Sequence, residues 1–337
     1  MNLLRRRAYA RAGLMGNPSD GYNGKTISII VENFFAEVVL YEWEDVELIF
    51  SQEDHSRFGS IRELVEDVEL HGYYGGIRLV KATIRKFVSY CDRQGHQLHD
   101  GNFSVRYSTN IPRQVGLAGS SAIVVATLRV LMEFYDITIP ESVQPSLVLS
   151  VETEELGITA GLQDRVIQVF GGCVFMDFAE DRIVEQCGYR CGSYERIDPS
   201  LLPPLYIAYS TDFSEPTEVF HNELRARFDQ QQEDVVSAMQ TFAELAVESR
   251  AAIIAGDHDQ LSDLIDRNFD MRASICRLPA RHVEMVEVAR AAGASAKFAG
   301  SGGAIIGTYR DTDMFRDLKS RLEAIGCEVF QPNCCGD

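Results

Sequence analysis

An α+β fold in two parts is predicted from three observations. Strand-like and helix-like segments are mixed in both halves of the chain and do not alternate in a regular βαβ series. The 337 residues suffice for one large domain or two ordinary ones. A polar stretch over 179–204 ends in a double proline and divides the chain. The boundary is placed within 180–200, giving an N-terminal domain of residues 1–190 and a C-terminal domain of residues 191–337.

The elements follow in order. Residues 26–31 and 34–40 are β-branched and apolar runs, expected as an antiparallel pair joined by a turn at Glu32 and Asn33. Residues 46–50 add a short strand. Ile77, Val80, Ile84, Phe87 and Val88 recur at helical spacing and predict a helix over 75–91. Residues 103–107 alternate as a strand does. An apolar helix is expected over 121–135, and another over 144–156, stopped by Gly157. Residues 173–178 form a strand. Beyond the boundary, 205–209 is a strand, and 220–255 and 260–271 are helical, with Val235, Met239, Phe242 and Ala246 on one face. A helix over 282–292, a strand over 304–309, a helix over 313–325 and a closing strand over 327–331 complete the chain. There is no internal repeat and no low-complexity segment.

Composition narrows the function. Hydrophobic residues make up 45% and charged residues 24%, as in ordinary globular proteins. The net charge of −18 argues against a nucleic-acid or anionic-membrane binder, whose affinity comes from basic patches. A small anionic substrate is compatible, because a pocket needs only a few local cations. The N-terminal MNLLRRRAYARAG has no apolar run after its positive charges and is not a secretory signal. No stretch approaches the roughly 18 apolar residues of a membrane span. The eight cysteines form no CxxC pair, so zinc is disfavoured and reduced thiols in a cytoplasmic protein are expected.

Three loops have the chemistry to hold a nucleotide. Gly116-Leu117-Ala118-Gly119-Ser120-Ser121 leads directly into a predicted helix. A helix N-terminus presents unpaired N–H groups and positive dipole, and glycines let backbone approach an anion closely. The serine hydroxyls can cap the helix, bond a phosphate oxygen or ligate magnesium. A plain N-cap on a buried helix is the alternative. No lysine follows, so this is not the Gly-x-x-x-x-Gly-Lys-Ser/Thr loop. In the second loop, over 297–304, Gly300, Gly302 and Gly303 precede a strand; a tight turn is the alternative. The third, over 11–22, combines Arg11, turn-forming residues and Asp20; a polar loop is the alternative. A fourth segment, ETEELGITAGLQDR over 152–165, sets carboxylates on both sides of a glycine-containing loop. Magnesium usually takes one or two oxygen ligands from protein, and a reacting hydroxyl needs a carboxylate within reach. One acid for each is what phosphoryl transfer requires. For Glu154 and Glu155 a solvated acidic helix face is the alternative.

Together the four segments resemble the GHMP small-molecule kinases. That family carries an N-terminal Arg with a Gly-x-x-x-Asp stretch, a Pro-x-x-x-Gly-Leu-x-Ser-Ser-Ala loop for the ATP phosphates, and a C-terminal glycine-rich loop. Here these stand as Arg11 with Gly16-Asn17-Pro18-Ser19-Asp20, as Pro112 through Ala122, and as Lys297 through Ala304, in the family's order. The stretches RAYARAGLMGNPSDGYNGKTIS, IPRQVGLAGSSAIV, ELGITAGLQDRVIQVFGG and KFAGSGGA are similar to the plant-type glucuronokinases in particular. Galactokinases carry Gly-Glu-His where this chain has Gly16-Asn17-Pro18, so their galactose contacts are absent.

The resemblance implies a GHMP kinase fold, with an N-terminal α/β nucleotide-binding domain and a C-terminal ferredoxin-like domain. It implies transfer of phosphate from ATP, with Mg2+, to the anomeric hydroxyl of D-glucuronate. The alternatives are another sugar or uronate, or a catalytically silent ligand sensor. It makes Asp164 the catalytic aspartate and Arg11 its partner beside the transferred phosphate. Pro112, Gly116, Leu117, Ala118, Gly119, Ser120, Ser121 and Ala122 become nucleotide contacts. Ser121 and Glu152 become magnesium ligands, with Glu154 competing for the second role. Asp20, Asn17, Gly300, Ser301, Gly302 and Gly303 become substrate contacts. For the carboxylate of a uronate, Arg7, Lys25, Arg113, His71 and loop amides are candidates. The expected partner is a small sugar, without nucleic acid or membrane, and the protein is expected as a monomer or homodimer.

Overall fold

The computed structural model describes residues 3–49, 76–211 and 218–334. One 19-residue strand organises its first half. This strand, β2 (Lys25–Trp43), is paired along one edge by β1 (Leu3–Met15), antiparallel, from Leu3 opposite Tyr41 to Met15 opposite Ile27. Its other edge is shared. Residues 36–43 pair with β4 (Asn102–Thr109) and residues 25–29 with β5 (Cys173–Asp177). The short β3 (Glu47–Ile49) runs parallel to β4, and β8 (Ser193–Ile197) closes the other side on β5. The result is a six-stranded sheet.

Two expectations fail here for identifiable reasons. The turn at Glu32 and Asn33 is a bulge in one continuous strand: Tyr9 lies opposite Phe35 and Ala10 opposite Val31, so residues 32–34 project from the ladder. Their polar groups find partners in the C-terminal tail. Glu32 N–H donates to the Asn333 carbonyl (2.9 Å), and Asn33 Nδ2 donates to that of Gln331 (3.1 Å). The second failure is β1, which places Arg11 in a strand and not in a loop. Its alternating Ala8, Ala10, Ala12 and Leu14 are fully buried, a pattern obscured in sequence by the arginines before it.

Four helices serve this sheet: α1 (Gly76–Gln94), α2 (Gly119–Phe134), α3 (Gln144–Ser150) and α4 (Leu162–Phe170). α2 is apolar on nearly every side and packs against α1, β1 and β2, which is why it lies inside. α4 packs against β1, β2 and β5. The polar 179–204 stretch hides the hairpin β6 (Val184–Gln186) and β7 (Tyr189–Cys191) as well as β8. Because β8 lies beyond residue 190, the first sheet extends to Ile197 and the connection to the second occupies 198–204.

The second half contains β9 (Leu205–Ser210), α5 (Glu218–Asp229), α6 (Glu233–Ala255), α7 (His258–Ile275), α8 (Ala280–Ala291), β10 (Lys297–Phe298), β11 (Ala304–Thr308), α9 (Thr312–Ala324) and β12 (Cys327–Phe330). The sheet order is β10-β11-β9-β12, all antiparallel. The single helix expected over 220–255 is broken before α6, where Gln231 takes a left-handed φ of 56°. The strand expected over 46–50 is β3, and Phe50 lies outside the described residues. One hydrophobic core joins Ala10, Val31 and Val124 to Leu245, Ile253 and Ile306, so the two sheets are packed together. A second core lies between the smaller sheet and α8 and α9, through Met285, Ala289, Leu318 and Leu322.

Candidate active site

β1 carries Arg11 into the centre of the molecule, where the residue is 6% exposed. Its Nε donates to Asp164 Oδ1 (2.6 Å) and its Nη2 to Asp164 Oδ2 (2.8 Å). Its Nη1 donates to the carbonyls of Gly116 (2.5 Å) and Ala299 (3.2 Å). One guanidinium therefore ties together the N-terminal segment, both glycine loops and the acidic segment. Charge-assisted paired bonds of this kind are the strong, geometrically specific ones.

Asp164 sits in the first turn of α4, where a negative charge is favoured by the helix dipole. Asp20, in the loop after β1, faces the same place. It accepts a long hydrogen bond (3.4 Å) from the Gln163 N–H. A Cβ at Gly161 would lie 2.2 Å from Asp20 Oδ2, so any larger residue there would displace the Asp20 carboxylate. Burial and then the neighbouring Asp164 charge push the Asp20 carboxyl up to about 6, against the opposing pull of the Gln163 amide, Arg11 and Arg165.

The phosphate loop ends in an Ala118 held at φ 61°, with Gly119 as the first residue of α2. The Ala118 carbonyl accepts from Gln168 Nε2 (2.9 Å) and from Ser121 Oγ (3.2 Å). Ser121 is fully buried and turned back on its own loop. Ser120 instead donates its hydroxyl to Glu152 Oε1 (2.8 Å). Glu152 is fully buried, and its Oε2 receives Arg165 Nε (2.8 Å) and Arg165 Nη2. A π-helical segment, Val151–Glu155, makes this possible by aiming Glu152 inward. The same segment sends Glu154 to Lys86 (2.5 Å) and Glu155 to Arg85 (2.8 Å) on α1. Of the two glutamates competing for a metal, Glu152 is thus the one beside the phosphate loop.

The C-terminal loop abuts the phosphate loop directly. A Cβ at Gly300 would stand 2.4 Å from the Gly116 carbonyl and 2.8 Å from Arg11 Nη1. Asn17, expected to touch substrate, is 5% exposed and supports the loop from behind, accepting Lys297 Nζ (2.5 Å). Lys297 also donates to the carbonyls of Gly13 (2.7 Å) and Phe298 (3.0 Å). Burial, followed by the charges of Arg272 and Arg11, holds its ammonium well below the usual lysine range.

Arg165, Gln163, Arg272 and Arg225 received no role from sequence. Arg165 directly follows Asp164, and that adjacency was the available signal. Gln163 Nε2 donates to Ser28 Oγ (2.7 Å), and Arg272 donates to the carbonyls of Gly300 (2.8 Å) and Ser301 (3.1 Å). Arg225 on α5 donates to the Gly21 carbonyl (2.8 Å) and lies over the Tyr22 ring (5.5 Å), an approach across 204 residues that no spacing reveals. Among the cations considered for a carboxylate, Arg7 is paired with Glu37 (2.7 Å) and Lys25 with Asp177 (2.9 Å). Arg113 is exposed on the phosphate loop, and His71 lies outside the described residues.

Residues 78–172 match the family described as GHMP kinases N terminal domain. The chain is 47% identical over 309 residues to a probable glucuronokinase 2 of Arabidopsis thaliana, covering 89% of this chain and 82% of that one. It is 45% identical over 311 residues to glucuronokinase 1 of the same plant, covering 90% and 84% respectively. The structure of Lactococcus lactis galactokinase complexed with galactose superposes with a TM-score of 0.76 at 15% identity, covering 99% of this chain and 94% of that one, a likeness of fold. The chain belongs to the GHMP kinases, ATP-dependent phosphotransferases with a hydroxyl acceptor, and within them to the glucuronokinase-like group.

Proposed function

We propose that the protein transfers the γ-phosphoryl group of ATP to the anomeric hydroxyl of D-glucuronate, with Asp164 and Arg11 as the catalytic pair. The observation that carries this reading is the Arg11 guanidinium, which joins the Asp164 carboxylate to the carbonyls of both glycine loops. The relatives named glucuronokinases direct the choice of sugar.

Arg11 fixes the plane of the Asp164 carboxylate, Arg165 Nη1 lies 3.3 Å from its Oδ2, and the 21% of the side chain that stays exposed is where the sugar hydroxyl approaches. The hydroxyl donates its proton to Asp164 while its oxygen attacks the γ-phosphorus. The bond from phosphorus to the bridging oxygen breaks, and ADP leaves with that electron pair. A hemiacetal hydroxyl is more acidic than an ordinary alcohol, so a modest base suffices. Arg11 offsets charge on the transferring group, and the rest of the rate comes from positioning. Asp20 accepts from a sugar hydroxyl. Arg113, exposed on the phosphate loop, and Arg225, 56% exposed and 3.1 Å from Asp229 on its own helix, are the basic residues beside these loops that we assign to the uronate carboxylate.

The residues fit Mg2+ in a form different from the Ser121 and Glu152 ligand pair. Ser120 donates its proton to Glu152, which leaves its oxygen lone pairs for a cation. Glu152, with Arg165 on its other oxygen, orients that hydroxyl. Ser120 and the ATP phosphates would then hold the ion, which supplies charge stabilisation to the β- and γ-phosphates. The seven described cysteines are free thiols, consistent with a reducing, cytoplasmic setting, and no described helix is long and apolar enough to cross a membrane.

The test is ADP release with Mg-ATP across glucuronate, galacturonate, glucose, galactose and fucose. Turnover on glucuronate in preference to the others is expected. Turnover on a neutral sugar instead overturns the assignment of substrate.

A further inference from the structure

Three buried basic residues surround the C-terminal glycine loop: Arg11, Lys297 and Arg272, which are 6%, 1% and 7% exposed. Arg11 has Asp164 as its counter-charge. Among the described residues neither Lys297 nor Arg272 is paired with a carboxylate; both bond to backbone carbonyls, and Lys297 to Asn17 as well. Arg272 is also left with a buried Nε that has no hydrogen-bond partner. Charges buried without partners are costly, and such groups concentrate where a ligand supplies the missing charge.

The contacts of Arg272 specify what the cation does. Nη1 donates to the Gly300 carbonyl at 2.8 Å and Nη2 to the Ser301 carbonyl at 3.1 Å. In a planar trans peptide the carbonyl of one residue and the N–H of the next point in opposite directions. Holding these two carbonyls therefore turns the N–H groups of Ser301 and Gly302 away from Arg272. The Ser301 nitrogen lies against the phosphate loop: a Cβ at Gly116 would stand 3.3 Å from it. Among the described residues neither amide has an acceptor. Successive amides presented in this way form a concave anion site.

We propose that Arg272 is a positioning residue, which holds the amides of Ser301 and Gly302 toward the phosphoryl group that is transferred. Arg272 acts through the loop and touches neither sugar nor nucleotide. Its fork of donors spans two successive carbonyls, which a lysine cannot reproduce. The inference rests on the ATP-dependent phosphoryl-transfer reading and does not depend on which sugar is the acceptor.

The test compares MgADP with the magnesium complex of a non-hydrolysable ATP analogue by calorimetry, using the full chain, Arg272→Lys and Arg272→Met. No sugar is present, so an incorrect acceptor assignment leaves the result unaffected. The expected result is an analogue affinity lower by about tenfold in both variants, the worth of roughly one hydrogen bond, with ADP affinity nearly unchanged. Hydrogen exchange at the Ser301 and Gly302 amides should rise in parallel. Equal losses for both nucleotides would show general loosening and overturn the proposal, as would no loss for either. If Arg272→Met does not fold, Arg272→Lys, which keeps the charge and most of the volume, decides by the same comparison.

Discussion

Arg11 and Asp164 meet through two parallel hydrogen bonds, 2.6 and 2.8 Å long, across 153 residues of sequence. The pair is a structural joint and, in the proposed reaction, the chemical centre, and the two roles separate on mutation. Asp164→Asn keeps the shape but removes the proton acceptor. Its kcat is expected to fall by about 10²–10⁴, the usual worth of a positioned acid–base group, with ATP affinity within a few-fold of the parent. Arg11→Met leaves Asp164, 21% exposed, with Arg165 Nη1 at 3.3 Å as its remaining cation, and leaves two loop carbonyls without their donor, so it is expected to lower stability by about 1–3 kcal/mol as well as kcat. Steady-state kinetics with urea denaturation checks both.

The Glu152–Arg165 ion pair is more deeply buried, with side chains 0% and 5% exposed. Removing one partner leaves an uncompensated charge, so Arg165→Gln is expected to destabilise by about 3–5 kcal/mol. The double variant Glu152→Gln with Arg165→Gln should recover much of that loss. A double-mutant cycle from denaturation curves measures the coupling, and additive losses would mean that the two side chains do not act as a pair.

Asp20 makes the stability depend on pH. Its carboxyl is raised in the folded protein from 3.8 to about 6, so the folded state holds the proton more tightly than the unfolded state does. The stabilisation from this group is fully present below about pH 4 and is lost as pH rises through about 6. Asp20→Asn should therefore gain stability relative to the parent between pH 4 and 7, with the difference levelling off above. Denaturation midpoints across that range test the sign. The Michaelis constant for sugar should fall over the same interval in the parent alone, because an ionised Asp20 is the better acceptor.

Arg225 is one of the two residues, with Arg113, assigned to the uronate carboxylate. Arg225→Met is expected to raise the Michaelis constant for glucuronate about tenfold or more, as lost charge-assisted hydrogen bonds do, and to leave that for ATP unchanged. Kinetics with each substrate varied in turn distinguishes this from a general loss of activity.

Much of the site could be read from the chain because its parts are local. Gly116 through Ser121, Lys297 through Ala304 and the 152–165 segment each hold their chemistry within a few residues, and the structure brings all three to Arg11. Non-local relationships are what the chain hides. β1 was obscured by its arginines, and its Ala8, Ala10 and Ala12 are weakly apolar although fully buried. The Glu32–Asn33 bulge looked like a turn because its partners, Gln331 and Asn333, come from the far end of the chain. Ser120 and Ser121 are equivalent in sequence, and only the π-helical turn that brings in Glu152 separates them. Asn17 accepts a hydrogen bond from the buried Lys297 across 280 residues, a contact that no spacing reveals.

The central claim is tested most directly by the position of phosphate in the product. Glucuronate labelled at its anomeric carbon is incubated with Mg-ATP and the full chain, and phosphorus–carbon and phosphorus–proton coupling is read by NMR. The expected product shows phosphorus coupled to the anomeric carbon and its proton, and with Asp164→Asn it forms about 10²–10⁴ times more slowly. Phosphorus on another carbon, or no product from glucuronate while a neutral sugar is phosphorylated, would contradict the account.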